Sequence, residues 1–152
     1  MLRTGEVNHN VSVVLIIISI LAYGLLAMNS FNLLDDIESG GEARSFLEES
    51  LQDAGDELAG VTMEEQIEIF GSVVNFVAIA SVIYAILGIV AAVFLTKRIR
   101  VRLVGILLII LGGVSVILTL VFGLIGIIAS LGYLIAGIVA LRKQKKAQNV
   151  IT

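Results

Sequence analysis

The chain has no cysteine, no proline and no tryptophan, and a single histidine. The missing cysteine excludes disulfides, thiolate metal sites, a thiol nucleophile and the lipid-modified cysteine of a lipoprotein. The missing proline leaves its helices without a built-in kink. Without tryptophan, an aromatic belt at a membrane surface falls to tyrosine and phenylalanine. Charge is also absent, but only in places. Nothing is charged between Glu6 and Asp35, between Glu68 and Lys97, or between Arg102 and Arg142. A soluble domain of 152 residues cannot hide three such stretches in one core. A hydrocarbon layer about 30 Å thick, by contrast, takes roughly 20 apolar residues per helix.

What is present fits that layer. Hydrophobic residues make up 58% of the chain even without counting glycine, and the mean hydropathy is +1.04. Ordinary soluble domains reach about 45–50% with glycine included. The first span is expected at about 11–28. A cleaved signal peptide is its rival, but the charged leader would hold only Arg3, offset by Glu6. No A-x-A site follows the apolar run, so the segment is expected to stay. A second span is expected over about 69–96, directly ahead of Lys97, Arg98, Arg100 and Arg102. The next 39 residues, Leu103 to Leu141, are uncharged. One helix of that length would be nearly twice the membrane thickness. A hairpin of two spans, about 103–121 and 124–141, turning near Gly123, fits better. A basic tail follows over 142–152.

Charge then sets orientation. Lys and Arg collect in short cytoplasmic segments beside helix ends. Eight of the ten lie in the 97–102 linker and the C-terminal tail, and twelve of the thirteen acidic residues lie in 29–68. With four spans, both basic segments share one side. The expectation is an all-α polytopic membrane protein: one domain over 1–152, a four-transmembrane-helix bundle with both termini cytoplasmic and an acidic, partly helical extracellular loop.

That loop has internal structure. Ser39 with Glu42, and Thr62 with Glu65, have the spacing of capping boxes. The first predicts a helix from near Gly40 to a stop at Gly60, with Leu47, Leu51, Ala54 and Leu58 on one face. The second predicts a helix from Met63 that enters the membrane unbroken. Phe46, Leu47, Leu51 and Leu58 are the candidate interaction residues, expected to cover the outer end of the bundle or to meet a partner protein. Lipid is the poorer match, because Glu48, Glu49, Asp53, Asp56 and Glu57 would face anionic headgroups.

Small residues mark candidate packing faces: Ala78, Ser81, Ala85, Gly88 and Ala92 in the second span, and Gly123, Gly126, Ser130 and Gly137 in the fourth. Such faces bring backbones close, within the bundle or between copies in a homo-oligomer. GIVA occurs at 88–91 and again at 137–140, which two apolar helices can share by chance or by duplication. Asn75, Ser81, Tyr84, Ser115, Thr119, Ser130 and Tyr133 are the polar residues inside the spans, expected to bond helix to helix.

Reaction chemistry is not evident. His9 is expected as a solvated residue at the inner face. No charged residue lies within a span, where proton relays and voltage sensors keep theirs. The acidic loop lacks EF-hand spacing, and no Walker motif is present. No catalytic residue, cofactor, metal or nucleic-acid partner is expected. The expected partners are the lipid bilayer and another membrane or envelope protein.

The stretch LTKRIRVRLVGILLIILGGVSVILTL, with GYLIAGIVALRKQKK after it, resembles a Gram-positive membrane family described as "domain of unknown function 4064". The likeness is strongest over about Leu95 to Lys146 and extends to the Arg3–Glu6 start and Ala136-Gly137-Ile138. It implies a bacterial plasma membrane and the four-helix layout, and brings no activity or functional residues. The layout is also similar to claudin-like tetraspan proteins, whose tryptophan and paired-cysteine loop signature is missing here. The expected role is therefore a non-enzymatic accessory protein that scaffolds or modulates an envelope complex or stress response. A small transporter or channel subunit is the alternative, and a toxin or bacteriocin immunity protein a further one.

Overall fold

In hydrocarbon no water is available to a peptide group, so an apolar run satisfies its backbone internally by coiling into a helix. The computed structural model describes residues 9–54, 60–119 and 124–149, and among them it is all-helical, with no strand. The helices are α1 (Asn10–Glu38), α2 (Glu42–Ala54), α3 (Met63–Thr96), α4 (Val101–Thr119) and α5 (Leu124–Asn149). Three of them, α1, α3 and α5, are long and apolar enough to cross a membrane, and α4 carries a shorter apolar stretch. This is the helix content of a membrane protein. The turn expected near Gly123 lies outside the described residues, as do Gly123 itself and Leu58.

The burial pattern is inside-out relative to a soluble core. Ile17, Leu21, Leu25, Phe76, Ile86, Ile110 and Ile128 are exposed, while Ser12, Ser19, Ser115, Ser130, Tyr23 and Tyr133 are buried. A soluble monomer rarely shows contiguous apolar surface on this scale. With lipid as solvent, apolar side chains face outward and polar ones find each other inside.

Two compact units divide the chain. One comprises residues up to Gly24 and from Ile83 onward; the other is Leu25–Val82. In the first, the opening of α1 and the second half of α3 pack with α4 and α5. Here α4 and α5 form an antiparallel pair whose backbones nearly touch. A Cβ built at Gly137 would lie 2.7 Å from the Gly105 carbonyl oxygen, and one at Gly112 would lie 2.8 Å from the Leu134 nitrogen. Gly137 is on the expected packing face; Gly105 and Gly112 come from the opposing helix and were not anticipated.

In the second unit, α1 runs on to Glu38 rather than stopping near Met28. It ends in a Schellman motif at Gly40, whose φ is +75°: Gly41 N–H donates to the Asp36 carbonyl and Gly40 N–H to that of Ile37. The capping box expected from Ser39 and Glu42 does not form. Instead the Asp36 carboxylate reaches forward and accepts the Ala43 N–H at 2.6 Å. Ser39 is spent inside the α1 terminus, its hydroxyl donating to the Asp36 carbonyl, and so is not available to cap α2. The Thr62–Glu65 box forms as expected: Thr62 N–H donates to the Glu65 carboxylate at 2.8 Å and Glu65 N–H to the Thr62 hydroxyl at 3.3 Å. These bonds hold the Glu65 carboxyl below its usual range, the backbone N–H first and the Thr62 hydroxyl second.

A second Schellman motif ends α3, with Ile99 N–H on the Phe94 carbonyl and Arg98 N–H on that of Leu95. Glycine usually fills the left-handed position, yet here it is Arg98, at φ +56°, and Arg100 follows at +46°. A non-glycine residue held there costs on the order of 1–2 kcal/mol.

The helix pair supplies a direct test. Gly137→Leu is expected to lower stability in detergent by about 1–3 kcal/mol, as overpacking does. Gly113→Leu is expected to be near neutral, because a Cβ at Gly113 meets nothing within 4 Å. Thermal melts of both variants measure the difference.

Candidate functional site

Three places gather polar chemistry. The first is a buried cluster in the unit formed by residues up to Gly24 and from Ile83 onward. Tyr23 of α1 stacks on Tyr84 of α3 with ring centroids 5.2 Å apart, and leans against Tyr133 of α5 at the same distance. Its hydroxyl bonds the Ser115 hydroxyl of α4 and lies 3.3 Å from that of Ser130 in α5. The Ser130 hydroxyl donates to the Gly126 carbonyl at 2.7 Å and lies 2.9 Å from that of Ser115. Tyr133 donates to the Tyr84 carbonyl at 2.7 Å. That bond explains Gly88. A Cβ on Gly88 would strike the Tyr133 hydroxyl and approach the Ile20 side chain to 2.8 Å. Gly132 likewise makes room for Ser19, whose hydroxyl donates to the Leu15 carbonyl.

Of these residues, Tyr84, Ser115, Ser130 and Tyr133 were expected to bond helix to helix, and Ser130 and Gly88 lie on expected packing faces. Gly126 is buried as well, Ala85 and Ala92 are half-buried, and in the other unit Ala78 and Ser81 are buried. Tyr23, the centre of the cluster, escapes sequence reading, because one tyrosine in an apolar run also fits an interfacial belt. The hydroxyls are occupied with one another, and the cluster's chemistry is cohesion.

The second place is the acidic segment of the Leu25–Val82 unit. Arg44, the only cation in 29–68, donates to Glu48 at 2.9 Å and to Glu64 at 2.8 Å, tying α2 to the start of α3. These hydrogen bonds, Glu48 first, raise the Arg44 pKa further. A cavity of about 300 Å³ lies beside the pair, with Glu38, Glu68 and Asn75 in its wall. Among the described residues no group of three or more His, Asp or Glu side chains could hold a metal. On α2, Leu47 and Leu51 are half-buried, but Phe46 is 69% exposed. The expected single face therefore splits: Phe46 sits one step around the helix, with the exposed Glu42, Glu49 and Asp53 at i−4, i+3 and i+7.

The third place is the start of α1. His9 was expected to be solvated, yet it is only 8% exposed. It caps α1, its carbonyl accepting the Val13 N–H, and lines a cleft with Val13, Val14, Leu95, Thr96 and Arg98. Burial first, then the Lys143 and Arg98 charges, hold its imidazole below the usual pKa. His9, Arg98 and Lys143 thus lie near one another, at the start of α1, just past α3 and late in α5.

No family model, no curated protein and no solved structure matches this chain.

Two measurements follow. Gly88→Ala is expected to cost about 1–3 kcal/mol by displacing the Tyr133 hydroxyl. Tyr133→Phe alone should cost about 0.5–1.5 kcal/mol, the worth of the lost hydrogen bond. The double variant should be more stable than the sum predicts, because phenylalanine vacates the space that alanine needs; a double-mutant cycle measures this coupling. The pH dependence of His9 has a definite sign. The unfolded chain protonates it near pH 6.5, the folded chain only at lower pH, so its contribution is intact above about 6.5 and is lost as pH falls through the lowered value. Melting temperature should drop between about pH 7.5 and about pH 5, and His9→Gln should flatten that slope.

Proposed function

We propose that this chain is a non-enzymatic accessory protein of the bacterial plasma membrane, crossing it four times with both termini inside, and that α2 holds out a recognition surface for an envelope or membrane protein. The observation that carries this reading is Phe46: a large apolar side chain 69% exposed on an acidic helix face. Arg44 ties the same helix to Glu64, while Leu47 and Leu51 turn inward. A partner fitting this surface offers an apolar pocket rimmed by Lys or Arg. An aromatic anchor in a pocket supplies the affinity, and the acidic rim supplies orientation and on-rate.

Orientation rests on the eight cations in 97–102 and 142–146, against the twelve carboxylates in 29–68. The proximity of His9, Arg98 and Lys143 supports placing the start of α1, the 97–100 connection and the tail on one side. The bacterial membrane itself rests on the resemblance of Leu95 to Lys146 to the Gram-positive family. The transporter or channel reading draws less support, because among the described residues the Tyr23, Ser115 and Ser130 hydroxyls bond one another.

Two tests address the proposal. A cysteine placed at Ser45 or Ser50 should label with an impermeant thiol reagent in intact cells, and one at Ala147 should not. Phe46→Glu should abolish co-purification of the native partner while leaving the melting temperature of the isolated protein unchanged. Leu47→Glu with Leu51→Glu should lower that temperature. If Phe46→Glu retained every co-purifying protein, α2 would be a spacer and the recognition reading would fall.

A further inference from the structure

From Ile69 to Thr152 the chain contains no Asp or Glu, yet eight of its ten cations lie there. The positive-inside rule asks that such cations lie beside helix ends; it does not ask that they converge. Two of them do. Arg102, in the first turn of α4, and Lys145, late in α5, line one cavity of about 360 Å³, with Leu141 and Gln144 also in its wall. Both charged side chains are exposed, while Leu141 and Gln144 are half-buried.

The tight seam between α4 and α5 sets this arrangement. A Cβ at Gly105, one turn on from Arg102, would lie 2.8 Å from Leu141 Cγ and 3.3 Å from the Gly137 carbonyl oxygen. Gln144 and Lys145 stand one turn beyond Leu141, so the close approach at Gly105 carries them to the level of Arg102. Like charges that share a cavity repel. The chain from Ile69 onward has no carboxylate to set between them, and the ion pairs among the described residues are those of Arg44. An anion in the cavity turns the repulsion into two attractions, and the Gln144 amide offers a neutral donor beside them. Leu141 gives the same cavity an apolar side, which suits a ligand charged at one end and apolar at the other.

We propose that this cavity between the start of α4 and the end of α5 binds the phosphate of an anionic phospholipid, held between Arg102 and Lys145, with the Gln144 amide donating to it and Leu141 against the glycerol. This rests on the membrane-spanning reading above, with the basic segments inside. On that reading the cavity stands at the depth of the inner headgroups, where basic pockets between membrane helices take lipid phosphates.

The full chain, purified in an uncharged detergent, is melted in mixed micelles containing dioleoyl phosphatidylglycerol, dioleoyl phosphatidylcholine or no lipid, and separately with inorganic phosphate. Phosphatidylglycerol should raise the melting temperature, and phosphatidylcholine and inorganic phosphate should not. Arg102→Gln and Lys145→Gln should each need roughly tenfold more phosphatidylglycerol for half the shift, the loss of one charge-assisted bond. Lys97→Gln removes an equal charge from a residue outside the cavity wall and should respond as wild type does. Arg102→Glu sets a carboxylate opposite Lys145 in place of the lipid. It should melt no lower than wild type without lipid, and phosphatidylglycerol should no longer raise its melting temperature.

Equal shifts with phosphatidylcholine would overturn the proposal. So would an equal loss in Lys97→Gln and Arg102→Gln, which would mean diffuse attraction to the basic segments. A lipid-free Arg102→Glu that melts below wild type would show that Arg102 and Lys145 do not oppose each other, and the site would fall with them. An equal shift with inorganic phosphate would overturn the lipid assignment in favour of a soluble phosphate. Resistance to alkaline carbonate extraction tests the membrane reading on its own: a chain that stays in the membrane without headgroup selectivity sinks the site alone.

Discussion

A hydroxyl pointed at hydrocarbon has nothing to bond, and that constraint organises the unit that contains both chain ends. Tyr23, Ser115 and Ser130 come from three helices and bond one another. Tyr133 is satisfied by a carbonyl of a fourth segment, Tyr84 in α3. Dispersion between small residues sets how closely backbones approach, but it is indifferent to sliding by a turn. The hydroxyl network is not, because each partner has one place where its bond can be made. The glycines follow from this: Gly88 and Gly132 lie where the Tyr133 and Ser19 hydroxyls need room. Gly105, Gly112 and Gly137 let α4 and α5 close up, bringing Ser115 within reach of Ser130.

Much of this was legible in the sequence because charge and hydropathy act over whole segments. The apolar runs marked α1, α3 and α5, the helices long and apolar enough to cross a membrane, and Thr62 with Glu65 marked the start of α3. What was illegible depends on which of two short-range options wins. Ser39 and Glu42 have the spacing of a capping box, but Asp36, at the end of α1, is better placed and reaches Ala43 first. Gly41 permits this, since any side chain there would collide with the Asp36 carboxylate. Phe46 and Leu47 are neighbours in a helical repeat, and only the way α2 leans on its unit decides that one turns in and the other out. His9 reads as a polar residue at a surface; the charges that act on it, Arg98 and Lys143, stand about 90 and 134 residues later, a separation local pattern cannot carry.

Fixed charge is arranged differently in the two units. In Leu25–Val82, carboxylates outnumber the single Arg44, whose bonds to Glu48 and Glu64 join helices at an exposed site. Exposed pairs of this kind contribute little to stability, so they orient α2 more than they stabilise it. In the other unit the cations sit in segments that flank apolar helices. There Lys143 and Arg98 act on the buried imidazole of His9.

The helices differ in length, and a bilayer must respond to that. At 1.5 Å per residue, the 19 residues of α4 reach about 28 Å, while the 34 of α3 reach about 51 Å. A helix as short as α4 fits a thin hydrocarbon layer, and a longer one meets the same layer by tilting or by projecting beyond it. Mismatch of this kind costs fractions of a kcal/mol per ångström, enough to sort proteins among membranes of different thickness. In the four-span arrangement proposed above, the shortest apolar helix, α4, sets in part the bilayer thickness that the chain prefers. In that arrangement a change in acyl-chain length would redistribute the chain laterally among membranes of different thickness.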